Sequence, residues 1–303
     1  MVDGVVATLN ELIDLRRFAQ SVHYQPEGRA LRPGAHLSKF RGRGMDFSEV
    51  RNYQAGDEIR HMEWRVTART GRPHVKIYQE EREKPVVILG DFNPSMFFGT
   101  RIAFKSVVAA RLASIIAWTV MKQGDRIGGF FFSATKHSEL IPKGRDSGVV
   151  SLLATLSNYT ADFKEQSDAP ARRLSDALIR LHRVVRPGSI LVLISDFYTM
   201  DDECFKLLSR LRGHNDILAY HICDRIELAP PQPQHYAITN GQEELILDTS
   251  QTSVSKAYEL YCQQRMEELQ AQFKRLHIQY VQVTSETPLP QLVRRTFPRR
   301  TRG

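Results

Sequence analysis

Apolar and polar positions change their pattern at residue 84. Beyond it, short continuous apolar runs alternate with longer stretches of helical spacing. The runs at 85–92, 125–133, 189–197, 216–224 and 277–285 are rich in Val, Ile, Leu and Phe and are bounded by Gly, Pro, Asn or Asp. A run of that length without alternation predicts a strand buried on both faces, the habit of parallel sheets. A further strand is expected at 138–141, beside 125–133. Between the runs, 101–122, 146–157, 171–184, 201–212 and 252–276 have the spacing of helices. Residues 225–249 are Pro-rich and carry a β-excursion, Glu-Glu-Leu-Ile-Leu-Asp. Strands alternating with helices mean βαβ units, hence a Rossmann-like α/β domain with a mostly parallel central sheet flanked by helices.

Ahead of residue 84 the pattern is different. Leu9, Leu12, Ile13 and Leu15 share one helical face within 8–20, which Thr8 or Asn10 would cap. Residues 25–44 are rich in Gly, Pro and Arg and read as irregular chain. The stretch 45–84 mixes charges with large aromatics and has little periodicity. Asp46, Glu49, Arg51, Asp57, Glu58, Arg60, Glu63, Arg65 and Arg69 would form an ion-pair network anchored by Phe47, Tyr53 and Trp64. It serves either as a buttress against the main domain or as a recognition surface. For the second role the candidates are Arg51, Tyr53, Asp57, Arg60, Trp64 and Arg69, because Arg, Tyr and Trp dominate interface hot spots. Residues 74–78 alternate and predict a strand. The expected division is a helix plus charged segment at 1–84, the α/β domain at 85–288 and a basic tail at 289–303.

Composition and charge narrow the partners. With 42% hydrophobic and 25% charged residues, a folded core is expected. The helix at 101–122 is nearly all apolar, but Arg101, Lys105 and Arg111 break it, so it reads as core. No run approaches the ~20 residues of a membrane span, and the first ten residues lack a signal-peptide pattern. The net charge of +8 and a pI near 9.5 raise the question of nucleic acid. Arg294, Arg295, Arg299, Arg300 and Arg302 crowd the C-terminus, however, and elsewhere basic and acidic residues alternate. No nucleic-acid partner is therefore expected. Cys204, Cys223 and Cys262 are odd in number and far apart, as buried thiols of a cytoplasmic protein would be.

The chemistry concentrates where strand 85–92 ends. Asp91, Asn93 and Ser95 place three oxygen-bearing side chains at alternate positions, as a hard cation requires. Asp196 ends strand 189–197. If the two strands are neighbours, the carboxylates converge, and a metal ion or a basic group is needed to hold them together.

Strand–Asp-x-Asn-x-Ser–helix followed by strand–Asp resembles von Willebrand factor A domains and their metal-ion-dependent adhesion site. Several blocks resemble, more specifically, the domain of unknown function 58 (DUF58) family, a bacterial branch of that fold. They are Arg41-Gly42-Arg43-Gly44-Met45-Asp46-Phe47, Arg51-Asn52-Tyr53-Gln54-Ala55-Gly56-Asp57-Glu58-Ile59-Arg60, Glu63-Trp64, Thr67-Ala68-Arg69, Asp91-Phe92-Asn93-Pro94-Ser95-Met96, Gln123-Gly124-Asp125-Arg126 and Ile194-Ser195-Asp196-Phe197. The similarity spans about residues 40–297. It implies a von Willebrand factor A-type fold and a non-catalytic adaptor acting with a MoxR-type AAA+ ATPase in chaperone-like assembly or remodelling. It also implies a site of Asp91, Asn93, Ser95 and Asp196 for magnesium, held weakly or not at all.

Two departures mark this site as degenerate. Asn93 stands for the motif's first Ser, and the fold's Thr is replaced by Arg172. A guanidinium bridges carboxylates well, so Arg172 is expected to neutralise Asp91 and Asp196, unless the 160–171 loop delivers Thr160. The alternative function is a metal-dependent phosphoesterase using Asp91 and Asp196. There is no Gly-x-Ser-x-Gly elbow or His-Glu-x-x-His helix, and the histidines, among them His61, His137 and His221, lack ligand spacing.

Overall fold

The computed structural model describes residues 4–19, 45–80, 84–162, 171–239 and 244–298. The expected irregular stretch 25–44 lies outside them. In chain order, α1 (Leu9–Asp14) runs into a 3-10 turn (Leu15–Phe18), with Thr8 Oγ1 capping α1 by accepting from Glu11 N at 3.3 Å. Next come β1 (Met45–Asn52), α2 (Trp64–Thr70) and β2 (His74–Glu80). The α/β part follows as β3 (Pro85–Asp91), α3 (Lys105–Lys122), β4 (Arg126–Phe132), β5 (His137–Lys143), α4 (Arg145–Ala161), α5 (Leu174–Val184), β6 (Ile190–Ser195), α6 (Asp202–Arg212) and β7 (Asp216–Ile222). The hairpin β8 (His235–Thr239) and β9 (Glu244–Asp248), then α7 (Thr252–Arg275), β10 (Gln279–Val283) and α8 (Leu289–Thr296), complete the chain.

The chain divides into two units, 1–22 with 84–298 and 23–83 with 299–303. The first correction concerns the boundary at 84. Helix α1 belongs to the larger unit, because Leu12 is wholly buried in its core. The Leu12 carbonyl accepts from Ser114 Oγ at 2.7 Å and Trp118 Nε1 at 3.0 Å. The second concerns the tail. Residues 289–296 are α8, whose Leu292 and Val293 are buried together with Phe297, so Arg294 and Arg295 sit on a packed helix. Apolar positions 289, 292, 293 and 297 have helical spacing, which the density of arginines obscured.

The central sheet has the order β10-β7-β6-β3-β4-β5, parallel except for β5. Successive side chains of a strand face opposite ways, and here both faces are covered. Val86, Ile88, Ile190, Val192 and Ile194 enter one core with α1, α3, α4 and α8. Val87, Leu89, Leu191 and Leu193 enter the other with α5, α6 and α7. Each fully buried Val or Leu of this kind adds about 1.5–3 kcal/mol. Helix α3 has 15 of its 18 residues buried, between the sheet and α1, α4 and α8, which is why it is apolar all round. Among the described residues, no helix is long and apolar enough to cross a membrane.

The smaller unit pairs β1 with β2 antiparallel, from Met45↔Glu80 to Asn52↔His74. Helix α2 starts on Glu63, which accepts from Arg65 N at 3.3 Å, and ends on Gly71, whose φ of +69° suits glycine. Among the described side chains its ion pairs are Arg51–Asp57 at 2.8 Å, Glu63–Lys76 at 2.5 Å and Glu58–His61 at 3.2 Å, while Asp46, Phe47 and Glu49 of the expected network lie outside them. Trp64 is not an internal anchor of this unit, because it is 65% exposed.

Candidate functional site

Strands β3 and β6 are neighbours, with Gly90 opposite Ile194. From β3 the chain adds β4 and β5 on one side, then β6, β7 and β10 on the other. Ligand crevices of open α/β sheets lie at such a reversal, beyond the carboxyl ends of the strands. Asp91 closes β3 and Asp196 follows β6 at this point. Only glycine fits before Asp91, since a Cβ on Gly90 would lie 2.7 Å from the Phe131 ring.

Both carboxylates are buried and held by short turns. Asp91 Oδ1 accepts from Asn93 N at 2.9 Å, and Oδ2 accepts from Ser195 Oγ at 2.7 Å. Ser195 Oγ in turn accepts from Phe197 N at 2.9 Å. Asp196 Oδ1 accepts from Tyr198 N at 3.1 Å. Phe197 between them has φ +55°, a left-handed conformation that a bulky residue adopts only when its surroundings impose it.

Lys105, the first residue of α3, completes the cluster. Its Nζ donates to Asp196 Oδ2 at 2.9 Å and to Glu227 Oε1 at 2.7 Å, and the residue is 3% exposed. Glu227 Oε2 accepts from Asp224 N at 2.7 Å. Asp224 accepts from Thr100 N at 2.9 Å and Thr100 Oγ1 at 2.6 Å. Helix α7 adds Arg265, which donates to the Asp196 carbonyl at 3.0 Å and lies 3.5 Å from the Tyr198 ring centre. One ammonium thus ties together the loops that follow β3, β6 and β7.

The ionisation of the cluster follows from burial and charge. Burial first, then the Asp196 charge, raise the Asp91 pKa to about 7. Asp196 moves the other way: burial opposes its charge, but Lys105 and the hydrogen bonds it accepts outweigh burial and hold it below the usual carboxylate range. Burial likewise disfavours the Lys105 ammonium, and Asp196 and Glu227 outweigh it, holding its pKa above that of an ordinary lysine.

The family model described as "Protein of unknown function DUF58" matches residues 49–268. The chain belongs to that family. Two relatives named "Uncharacterized protein", Rv1480 of Mycobacterium tuberculosis (strain ATCC 25618 / H37Rv) and Mb1516 of Mycobacterium bovis, are each 26% identical over 218 residues, 72% of this chain and 67% of theirs. The larger unit of this DUF58 chain is an α/β domain whose mostly parallel central sheet is flanked by helices. Similar solved structures include BatB from Bacteroides thetaiotaomicron (12% identity, 70% of this chain and 96% of that one, TM-score 0.43). The SpRpn10 VWA domain is another (13% identity, 71% and 96%, TM-score 0.40).

In this DUF58 chain the expected ligands lie together, with Asp91 close enough to Asp196 to feel its charge and Ser95 beside Asp196, but they are already engaged. Asn93 is spent on a clamp: its Nδ2 donates to the Arg172 carbonyl at 3.0 Å and its Oδ1 accepts from Arg172 N at 2.9 Å. Arg172 is therefore a correction. Its backbone reaches the site, but its guanidinium turns away, 3.5 Å from His137 Nδ1. The cation beside Asp196 is Lys105. Thr160 is also elsewhere, inside α4, accepting from Ala7 N at 3.1 Å. Ser95 Oγ is buried near Asp196 without a hydrogen bond of normal geometry.

These groups do not fit a divalent cation. Both Asp91 oxygens and Asn93 Oδ1 carry hydrogen bonds, and an ammonium already bridges Asp196 and Glu227. Among the described residues no three His, Cys, Asp or Glu side chains are grouped to hold a metal. Lys105 had one signal in the sequence: a lysine in the first turn of an otherwise apolar helix needs a buried partner. Of the candidate recognition residues, Arg51 and Asp57 pair with each other and Tyr53 is half-buried. Arg60, Trp64 and Arg69 are exposed.

The clamp gives the first prediction. Asn93→Ala leaves the Arg172 N–H and carbonyl without their partner, a loss of about 1–3 kcal/mol. Hydrogen exchange should quicken at 171–174 while β6 stays protected. Unchanged protection at 171–174 would show that the clamp does not hold this loop.

Proposed function

We propose that the chain is a non-catalytic, protein-binding adaptor that works with a MoxR-type AAA+ ATPase in assembling or remodelling other protein complexes. The observation that carries this reading is a closed polar centre with an open apolar rim. Asp91, Asn93, Lys105, Ser195 and Asp196 are buried, and their hydrogen bonds run to one another, to the Arg172 backbone and to Glu227. Around them Phe98, Ile102 and Tyr198 are 41%, 53% and 44% exposed. In the smaller unit Ile59 is as exposed as Trp64, and among the described residues Arg60 and Arg69 hold no ion pair. Exposed aromatic side chains and arginines are the usual makings of interface hot spots. The ATPase partnership rests on the resemblance of the Arg51–Arg60 block to the family's signature. A partner that consumes ATP sets the pair in the cytoplasm.

Affinity capture of a MoxR-type AAA+ ATPase from the same organism, with and without nucleotide, tests the proposal. Retention is expected, with Trp64→Ala or Tyr198→Ala weakening it at least about tenfold at an unchanged unfolding temperature. Absence of capture in both nucleotide states, with phosphoester hydrolysis that Asp91→Asn abolishes, would make the chain an enzyme instead.

A further inference from the structure

We propose that the Lys105 ammonium is the resident cation of the sheet-edge site, and that the chain binds no divalent metal there. The geometry assigns this role in three ways. First, the ammonium lies between the carboxylate after β6 and the carboxylate after β7, 2.9 Å from Asp196 Oδ2 and 2.7 Å from Glu227 Oε1. Those are hydrogen-bond distances, so the ammonium already supplies the positive charge that a magnesium ion between these carboxylates would bring. Second, the oxygens on the β3 side are already committed. Asp91 accepts from Asn93 N and Ser195 Oγ, and Asn93 Oδ1 accepts from Arg172 N. A metal would have to displace several of these hydrogen bonds and a second positive charge at once. Third, Ser95 Oγ is buried beside Asp196 with no hydrogen bond of normal geometry. It is an oxygen of the kind a hard cation takes, and here it faces the Asp196 carboxylate instead.

The consequence is that shortening the side chain uncovers a cation site. Removing the ammonium leaves Asp196 and Glu227 facing a vacated space, with the Ser95 hydroxyl beside Asp196. Lys105→Ala is therefore expected to gain what the natural chain lacks, a site for magnesium or manganese. Lys105→Met keeps the space filled and is expected to gain nothing.

Isothermal titration with manganese chloride, paired with thermal unfolding in EDTA and in manganese, tests this on the full chain. The natural chain should bind no stoichiometric manganese at millimolar concentration and should unfold at the same temperature in both solutions. Lys105→Ala should unfold at a lower temperature in EDTA and recover as manganese is raised, with the logarithmic dependence of a ligand that binds only the folded state. Adding Asp196→Asn to Lys105→Ala should abolish the recovery. If Lys105→Ala does not fold in EDTA, refolding in manganese is the supporting result. Stoichiometric manganese on the natural chain, lost in Asp91→Asn, overturns the assignment. So does a Lys105→Ala chain that neither binds manganese nor is rescued by it.

Discussion

Lys105→Met is expected to destabilise the larger unit by about 3–5 kcal/mol, the usual loss when one partner of a buried ion pair is removed. For a unit of this size that lowers the unfolding temperature by roughly 10 °C. The cause is the group left behind. Asp196 is wholly buried, and with the ammonium gone it loses its countercharge and the donor that Lys105 gives to Oδ2. Glu227 is less constrained, since it keeps some exposure and its Oε2 still accepts from Asp224 N. The loss should therefore be strongly non-additive with Asp196→Asn, which removes the stranded charge. The double variant should recover a large part of the stability, measured by denaturant unfolding around a double-mutant cycle. Additive losses would mean that the two side chains contribute separately and that the ion pair is incidental.

Much of this architecture is legible in the sequence. The runs at 85–92 and 189–197 betray strands buried on both faces because neither alternates, and each stops at a carboxylate. What stayed hidden has a common cause. Strand β1 and helix α2 carry so many charges that hydrophobic period says little about them. They depend instead on cross-strand pairing and on a Glu63 cap. In α8, four apolar positions lie among basic ones. The site itself was half legible. Sequence register brings the Arg172 backbone to Asn93, but register does not say where a long side chain points, and this one points to His137. Lys105, by contrast, looks like an interruption in an apolar helix until the fold sets the start of α3 beside the end of β6. The identity of a buried cation is a matter of tertiary geometry, while the need for one could be inferred from two converging strand-end carboxylates.

The stability of the natural chain should vary little between about pH 4 and 6.5, because two buried groups act there in opposite directions. Asp91 has a folded pKa raised to about 7 from an ordinary 3.8. The folded state holds its proton more tightly, so the stability it contributes is complete below 3.8 and is lost as pH rises through about 7. His221 is the reverse. It is buried, its Nδ1 lies 2.6 Å from the Tyr280 hydroxyl, and burial first of all depresses its pKa from 6.5 to about 4. Its contribution is complete above 6.5 and is lost as pH falls toward 4. Asp196, held below the ordinary carboxylate value, acts only in more acidic solution. At about 1.4 kcal/mol per pKa unit, the His221 shift amounts to about 3 kcal/mol and the Asp91 shift to at most about 4 kcal/mol, less whatever Asp196 shares. Asp91→Asn can keep the two turns, because a carboxamide accepts from Asn93 N and donates to Ser195 Oγ. It should unmask the histidine: stability now climbs by about 3 kcal/mol between pH 4 and 6.5, and the variant overtakes the natural chain above pH 7. His221→Gln should do the opposite and become less stable as pH rises from 4 to 7. Denaturant unfolding at intervals from pH 4.5 to 8 reads both slopes. Parallel profiles for the natural chain and Asp91→Asn would mean that Asp91 is already ionised at pH 5, with Lys105 and the turn hydrogen bonds compensating both carboxylates.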